Sequence, residues 1–168
     1  ADGGSRLCRA ALSGSPREPD FPNMRPFTYY LRVRYGEWDA QRVVFNPRYG
    51  DYADVAVIEF LRALGYGDQL LSGGLDFQLV KQTTEWRGPA RFDQVLAASV
   101  FASRIGTTSF TFTTEFRIAG DDRVICTVET VYVMVDTHTL AKKPIPDEVR
   151  TTFERGAPGV VADHAGYW

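Results

Sequence analysis

Tyr35-Gly36-Glu37-Trp38-Asp39-Ala40-Gln41-Arg42-Val43-Val44-Phe45-Asn46-Pro47-Arg48-Tyr49 is the stretch on which the fold turns. It joins an alternating segment to a long apolar-striped one, and Asp39 lies in the joint. Asn46-Pro47 reads as a helix start. Asn is a preferred N-cap, and Pro suits the first helical position because the N–H it lacks has no partner there. A helix N-terminus exposes N–H groups and partial positive charge, so it can hold a developing oxyanion. Asp39, a few residues upstream, is thus expected to face a carbonyl polarised at that terminus.

Downstream, Tyr49, Tyr52, Ala53, Ala56, Val57, Phe60, Leu61 and Leu64 alternate steps of three and one, the spacing of an apolar helical stripe. Val55 and Ile58 widen it, which predicts a helix buried on more than one side. Asp51 and Asp54 in the first turns suit the macrodipole, and Gly65 is the expected stop. Phe60→Ala is expected to cost about 3–5 kcal/mol. Upstream, Thr28 to Tyr35 alternates, with Tyr29, Leu31, Val33 and Tyr35 on one face, and Gly36 ends this strand.

After a loop holding Gly73 and Gly74, further strands are predicted over Phe77 to Trp86, Val95 to Ile105, Thr107 to Ile118 and Val124 to Val135. Gly88-Pro89 breaks the chain after the first, Gly106 turns it after the second, and Gly120-Asp121-Asp122 makes a hairpin. A short amphipathic helix with Val149 and Phe153 follows Pro146. One strand, one long helix and four strands on short turns close a core only if the sheet curls around the helix. The expected fold is therefore α+β, a hot-dog arrangement of about five antiparallel strands around one long central helix. A half-wrapped helix calls for a second subunit, so self-association as a dimer or tetramer is expected.

The 168 residues are 44% hydrophobic, enough for a folded core in one domain. A net charge of -2 speaks against a nucleic-acid partner, and no apolar run approaches the roughly 20 residues of a membrane span. Cys8 and Cys126 fit neither a disulfide framework nor a zinc spacing, which favours a reducing, cytoplasmic setting. Residues 1–23, rich in Gly, Ser, Pro and Arg, read as a flexible extension, and residues 24–168 as the domain.

The pattern Tyr35-Gly36-Glu37-x-Asp39, Val43-Val44-Phe45-Asn46 and Tyr49, followed by Glu59-Phe60-Leu61-Arg62, resembles the 4-hydroxybenzoyl-CoA thioesterase-like enzymes. Pro89-Ala90, Asp93 and Val95, then Gly106 and Ser109, then Pro146, Val149 and Arg150, continue the resemblance in order and spacing. It implies hydrolysis of an acyl-CoA thioester to free acid and CoA. No metal is implied, and coenzyme A enters only as part of the substrate. Asp39 would be nucleophile or general base, and the Asn46 backbone N–H would polarise the carbonyl. A thioester is already activated, so a placed carboxylate with oxyanion stabilisation is a sufficient minimal machinery. Arg42, Phe45, Tyr49 and the turn of Gly106, Thr107, Thr108 and Ser109 are the expected substrate-binding residues.

One departure stands out: the family has Gly where this chain has Arg42. Either the turn requires φ > 0 and strains Arg42, or Arg42 points outward toward substrate phosphate or solvent. Asn46 also stands where many relatives carry His or Tyr, a change a backbone donor survives. Glu59, Asp51 and Asp54 are rival carboxylates, with Glu59 expected in a structural ion pair; His138 and His164 are expected at the surface. Two alternatives accompany the acyl-CoA reading: an acyl-carrier-protein thioesterase and a non-catalytic acyl-CoA binding module.

Overall fold

The computed structural model describes residues 26–168, so the expectations for residues 1–23, and Cys8 with them, lie outside the described residues. β1 (Thr28–Arg32) is followed by a 3-10 turn (Tyr35–Glu37), the long helix α1 (Arg48–Ala63) and the short helix α2 (Gly67–Ser72). Then come β2 (Phe77–Trp86), β3 (Val95–Ile105), β4 (Ser109–Ile118) and β5 (Val124–Met134), α3 (Asp147–Arg155) and β6 (Val161–Asp163). The strands form one sheet in the order β2-β5-β4-β3-β1-β6. Every pairing is antiparallel except β6 on β1. The sheet therefore has six strands rather than about five, the sixth supplied by the C-terminal segment.

The apolar stripe of α1 builds the core. Tyr49, Tyr52, Ala53, Ala56, Val57, Phe60 and Leu61 are all buried. Phe60 meets Phe27 and Phe112 with ring centroids 5.4 Å apart, and Phe112 meets Phe110 and Phe153 at 5.0 Å. Tilted and edge-on rings at such separations add roughly 0.5–1.5 kcal/mol a pair beyond the area they bury. Cys126 is a core residue, and burial pushes the pKa of its thiol up to about 12.

Three expectations need correction. Val55 is 45% exposed and Ile58 only half-buried, so the sheet covers one flank of α1 and not the broader face the stripe suggested. Regular pairing in β1 stops at Arg32, and Tyr35 is 73% exposed because the 3-10 turn rotates it off the inward face. The loop before β2 contains α2, whose left-handed Gly73 ends it. Elsewhere the predicted strands and the short C-terminal helix stand within two residues of their expected bounds. Gly65 stops α1 at φ 92°, donating its N–H to the Arg62 carbonyl.

Strand polarity decides what can meet. β1 ends where β3 begins, Arg32 beside Val95, and α1 starts at that same end of the sheet. The turn of residues 106–109 lies at the far end of β3, roughly 30 Å away at about 3.3 Å per residue.

Candidate active site

The chain leaves β1 and folds back on itself before α1. Trp38 bridges Val44, Asp39 N–H donates to the Val43 carbonyl at 2.9 Å, and Arg42 N–H donates to the Asp39 carbonyl at 2.9 Å. This closes a tight loop whose last residue, Arg42, sits at φ 63°. A turn of this kind wants glycine at that place, and a side chain there costs roughly 1–2 kcal/mol. The strained alternative for Arg42 therefore holds, and its side chain is also exposed.

Within the loop, Oδ1 of Asp39 accepts the Gln41 N–H at 2.8 Å. Oδ2 accepts no hydrogen bond among the described residues. The carboxylate is thus oriented through one oxygen.

The entry to α1 spends its donors locally. Arg48, Tyr49 and Gly50 N–H groups donate to the carbonyls of Phe45, Asn46 and Pro47 at 2.8, 3.3 and 3.1 Å, and Pro47 has no N–H. Phe45 N–H donates to the Glu37 carbonyl at 2.9 Å. The Asn46 N–H is left without a partner among the described residues. α1 begins at Arg48 with Pro47 in the cap position and no side-chain cap bond, so the expected capping role of the Asn46 side chain is not observed.

Beside this entry is a cavity of about 180 Å3 lined by Val43, Val44, Asn46, Tyr49, Trp86, Gly88 and Pro89. Val44 N–H, donating to the Ala90 carbonyl at 2.8 Å, ties the loop to the break after β2. Tyr49 is 2% exposed, its hydroxyl is buried without a hydrogen bond among the described residues, and burial raises its pKa. Arg42 and Phe45 are exposed and do not line this cavity.

Glu37 is the residue the sequence reading left without a role. It is 9% exposed, and its Oε2 accepts the Arg34 N–H at 2.7 Å and the Tyr52 hydroxyl at 2.8 Å, while Oε1 accepts Arg34 Nε at 3.1 Å. With its carbonyl on Phe45, it ties the exit of β1, the Asp39 loop and the second turn of α1 together. Burial and the Glu37 carboxylate both raise the Tyr52 pKa, which keeps that hydroxyl a donor. The available signal was an acidic residue enclosed by Tyr35, Trp38 and Val43.

The other expected residues are placed apart. The 106–109 turn is closed by Gly106 N–H on the Ser109 carbonyl at 2.7 Å. The Gly106 carbonyl accepts Arg150 Nη2 at 2.8 Å, at the end of the sheet away from Asp39. Glu59 pairs with Arg62 as expected, and Asp51 pairs with Arg48. Burial, with Asp51 nearby, raises the Asp54 pKa. His138 and His164 are both exposed. Among the described residues no three His, Cys, Asp or Glu side chains gather as a metal set, and no helix is long and apolar enough to cross a membrane.

Residues 33–153 match the model of the thioesterase-like superfamily. The acyl-CoA thioester hydrolase YbgC of Escherichia coli is 26% identical over 134 residues, 79% of this chain and 99% of that protein. A 1,4-dihydroxy-2-naphthoyl-CoA hydrolase of Nostoc punctiforme is 26% identical over 73% of this chain and 83% of its own. Among solved structures, the gentisyl-coenzyme A thioesterase BH1999 superposes with a TM-score of 0.65 at 28% identity, covering 75% of this chain and 98% of that one. With a helix half-wrapped by its sheet and a match over most of its length, this chain belongs to the thioesterase-like superfamily as a hot-dog thioester hydrolase.

Proposed function

We propose that the protein hydrolyses an acyl-CoA thioester to the free acid and CoA, with Asp39 as nucleophile or general base and the Asn46 N–H polarising the carbonyl. The observation that carries this reading is the accounting of donors at the start of α1. Every neighbouring N–H is spent or missing, and the Asn46 N–H remains beside a cavity that could seat an acyl group. A preorganised donor aimed at a developing oxyanion is commonly the largest single term in acyl transfer. The free Oδ2 of Asp39 supplies the other half, and Phe45 and Tyr49 flank the entry. Coenzyme A is the only cofactor in this scheme, and it arrives with the substrate.

The same reading includes self-association. β2 is an edge strand with eight of its ten residues exposed, Leu79, Val80 and Trp86 among them. A long unpaired edge of this kind is a template for another strand. Two-fold pairing of β2 with its copy would invert the second sheet. The partner's 106–109 turn would then lie at the same end as this chain's Asp39, which supports Gly106, Thr107, Thr108 and Ser109 as binding residues for the CoA end. Dimer and tetramer both satisfy this geometry. Composition favours a cytoplasmic setting and no nucleic-acid or membrane partner.

Release of free thiol from a panel of short, long and aromatic acyl-CoA substrates tests the reading. Turnover on at least one class is expected. Faster turnover of the matching acyl-carrier-protein thioester would move the substrate to that carrier, and tight acyl-CoA binding without thiol release would replace hydrolysis with sensing.

A further inference from the structure

A second cavity, of about 310 Å3, opens between β1 and α1 and shares no lining residue with the one beside Asn46. Tyr29 and Leu31 come from the inward face of β1, Arg32 and Arg34 from its end and exit, and Tyr52 and Val55 from α1. The last wall is His164, from the segment after β6. His164 lies beyond residue 153, where the family match ends. Its ring stands edge-on to Tyr29 with centroids 5.1 Å apart, and Nδ1 is 3.3 Å from the Tyr29 hydroxyl.

The lining has three basic side chains and no acidic one. Three carboxylates stand nearby, and two are paired with lining side chains: Asp93 with Arg32, and Glu37 with Arg34 and Tyr52, while Glu59 pairs with Arg62. Arg32 is largely spent, since it also donates to the Asp93 and Ala165 carbonyls. Arg34 is not. It gives Nε to Glu37, its terminal nitrogens make no hydrogen bond among the described residues, and its side chain is 82% exposed. Such a guanidinium edge takes a carboxylate through two parallel N–H···O bonds. Beneath it, Leu31, Val55 and the two tyrosine rings offer an apolar surface. An apolar cavity of about 150 Å3 already holds a benzene ring, so this one has room for a ring and a headgroup.

We propose that this cavity binds a small monocarboxylate with an apolar body, an aromatic ring or a short alkyl chain. The headgroup sits on the terminal nitrogens of Arg34, and the body lies against Leu31, Val55 and the rings of Tyr29 and Tyr52. Arg34 shares its charge with Glu37 and offers only its terminal N–H donors, which suit one carboxylate; a doubly charged phosphate would need a second cation, and Arg32 is occupied.

Benzoate and hexanoate titrated into the full chain, followed by backbone amide shifts, test this. Both are expected to saturate, with shifts centred on Tyr29, Leu31, Val55 and His164. Benzamide, which lacks the charge, and acetate, which lacks the body, are expected to bind at least about tenfold more weakly, a difference of about 1.4 kcal/mol. Val55→Glu places a carboxylate at the mouth from an exposed helical position, so the fold is retained, and benzoate affinity should fall at least about tenfold. The proposal is overturned if benzamide matches benzoate, if Val55→Glu leaves benzoate affinity unchanged, or if the shifts fall on Asn46, Trp86 and Gly88 instead. Absence of saturable binding by both acids overturns it as well.

Discussion

At its C-terminal end, α1 closes with Leu64 N–H on the Phe60 carbonyl, Gly65 on Arg62 and Tyr66 on Leu61, and Gly65 in the left-handed conformation makes the exit possible. At its N-terminal end there is no side-chain cap, a proline sits in the cap position, and the Asn46 N–H has no partner among the described residues. The first end resembles a helix optimised for stability. The second leaves unmade what an N-cap would supply, typically about 1 kcal/mol, and does so beside the cavity that Asn46 and Tyr49 line. The difference separates two kinds of substitution: those at the closed end should cost stability alone, those at the open end should cost turnover.

The most severe test of the closed part is Phe60→Ala, in the buried last turns of α1. It is expected to destabilise by about 3–5 kcal/mol in chemical denaturation while leaving the kcat of the folded fraction near wild type. Next is Glu37→Ala, which should affect both properties. The Arg34 N–H and the Tyr52 hydroxyl each lose an acceptor, at about 1–3 kcal/mol for a donor left buried, and kcat should fall because the Asp39 loop loses its brace. A Glu37→Ala protein that is less stable but fully active would show that the brace serves folding only.

Gly65→Ala is a milder break of the closed end. No atom lies within 4 Å of the added Cβ, so the cost is conformational, about 1 kcal/mol, with no change in turnover. The smallest effect is expected from Arg42→Gly: it relieves the φ 63° strain, the added freedom of glycine in the unfolded chain offsets part of the gain, and stability should rise by up to about 1 kcal/mol. If the Arg42 guanidinium also touches substrate, KM for acyl-CoA rises in a salt-dependent way. An unchanged KM removes Arg42 from substrate binding.

Periodicity exposed the main elements because their burial is regular: the stripe of α1 and the strands β2 to β5 were legible within a residue or two. It failed where contacts rather than pattern set the structure. Val161-Ala162-Asp163 has no alternation to read, and β6 is held by Thr28 N–H on Val160 and His164 N–H on Tyr30. The Asp163 carboxylate then gathers the N–H groups of Ala165, Tyr167 and Trp168. Val55 lies within reach of the stripe, but the stripe does not tell which flank the sheet leaves open. At the site, the positive φ of Arg42 was one of two alternatives raised by the resemblance, because the family carries Gly at that place. Glu37 was not legible, since its role depends on Tyr52, fifteen residues onward and one helical turn inside α1. Nor could a single chain's sequence reveal that the 106–109 turn and Asp39 occupy opposite ends of one sheet.

The most direct measurement is free-thiol release by Asp39→Asn beside the wild-type protein on the best acyl-CoA substrate, with thermal unfolding recorded on both. Asn keeps the shape and can still accept the Gln41 N–H, so unfolding should be nearly unchanged while kcat drops by about 10²–10⁴-fold. An Asp39→Asn protein that is equally stable and turns over at the wild-type rate would contradict the assignment of Asp39 as the reacting carboxylate.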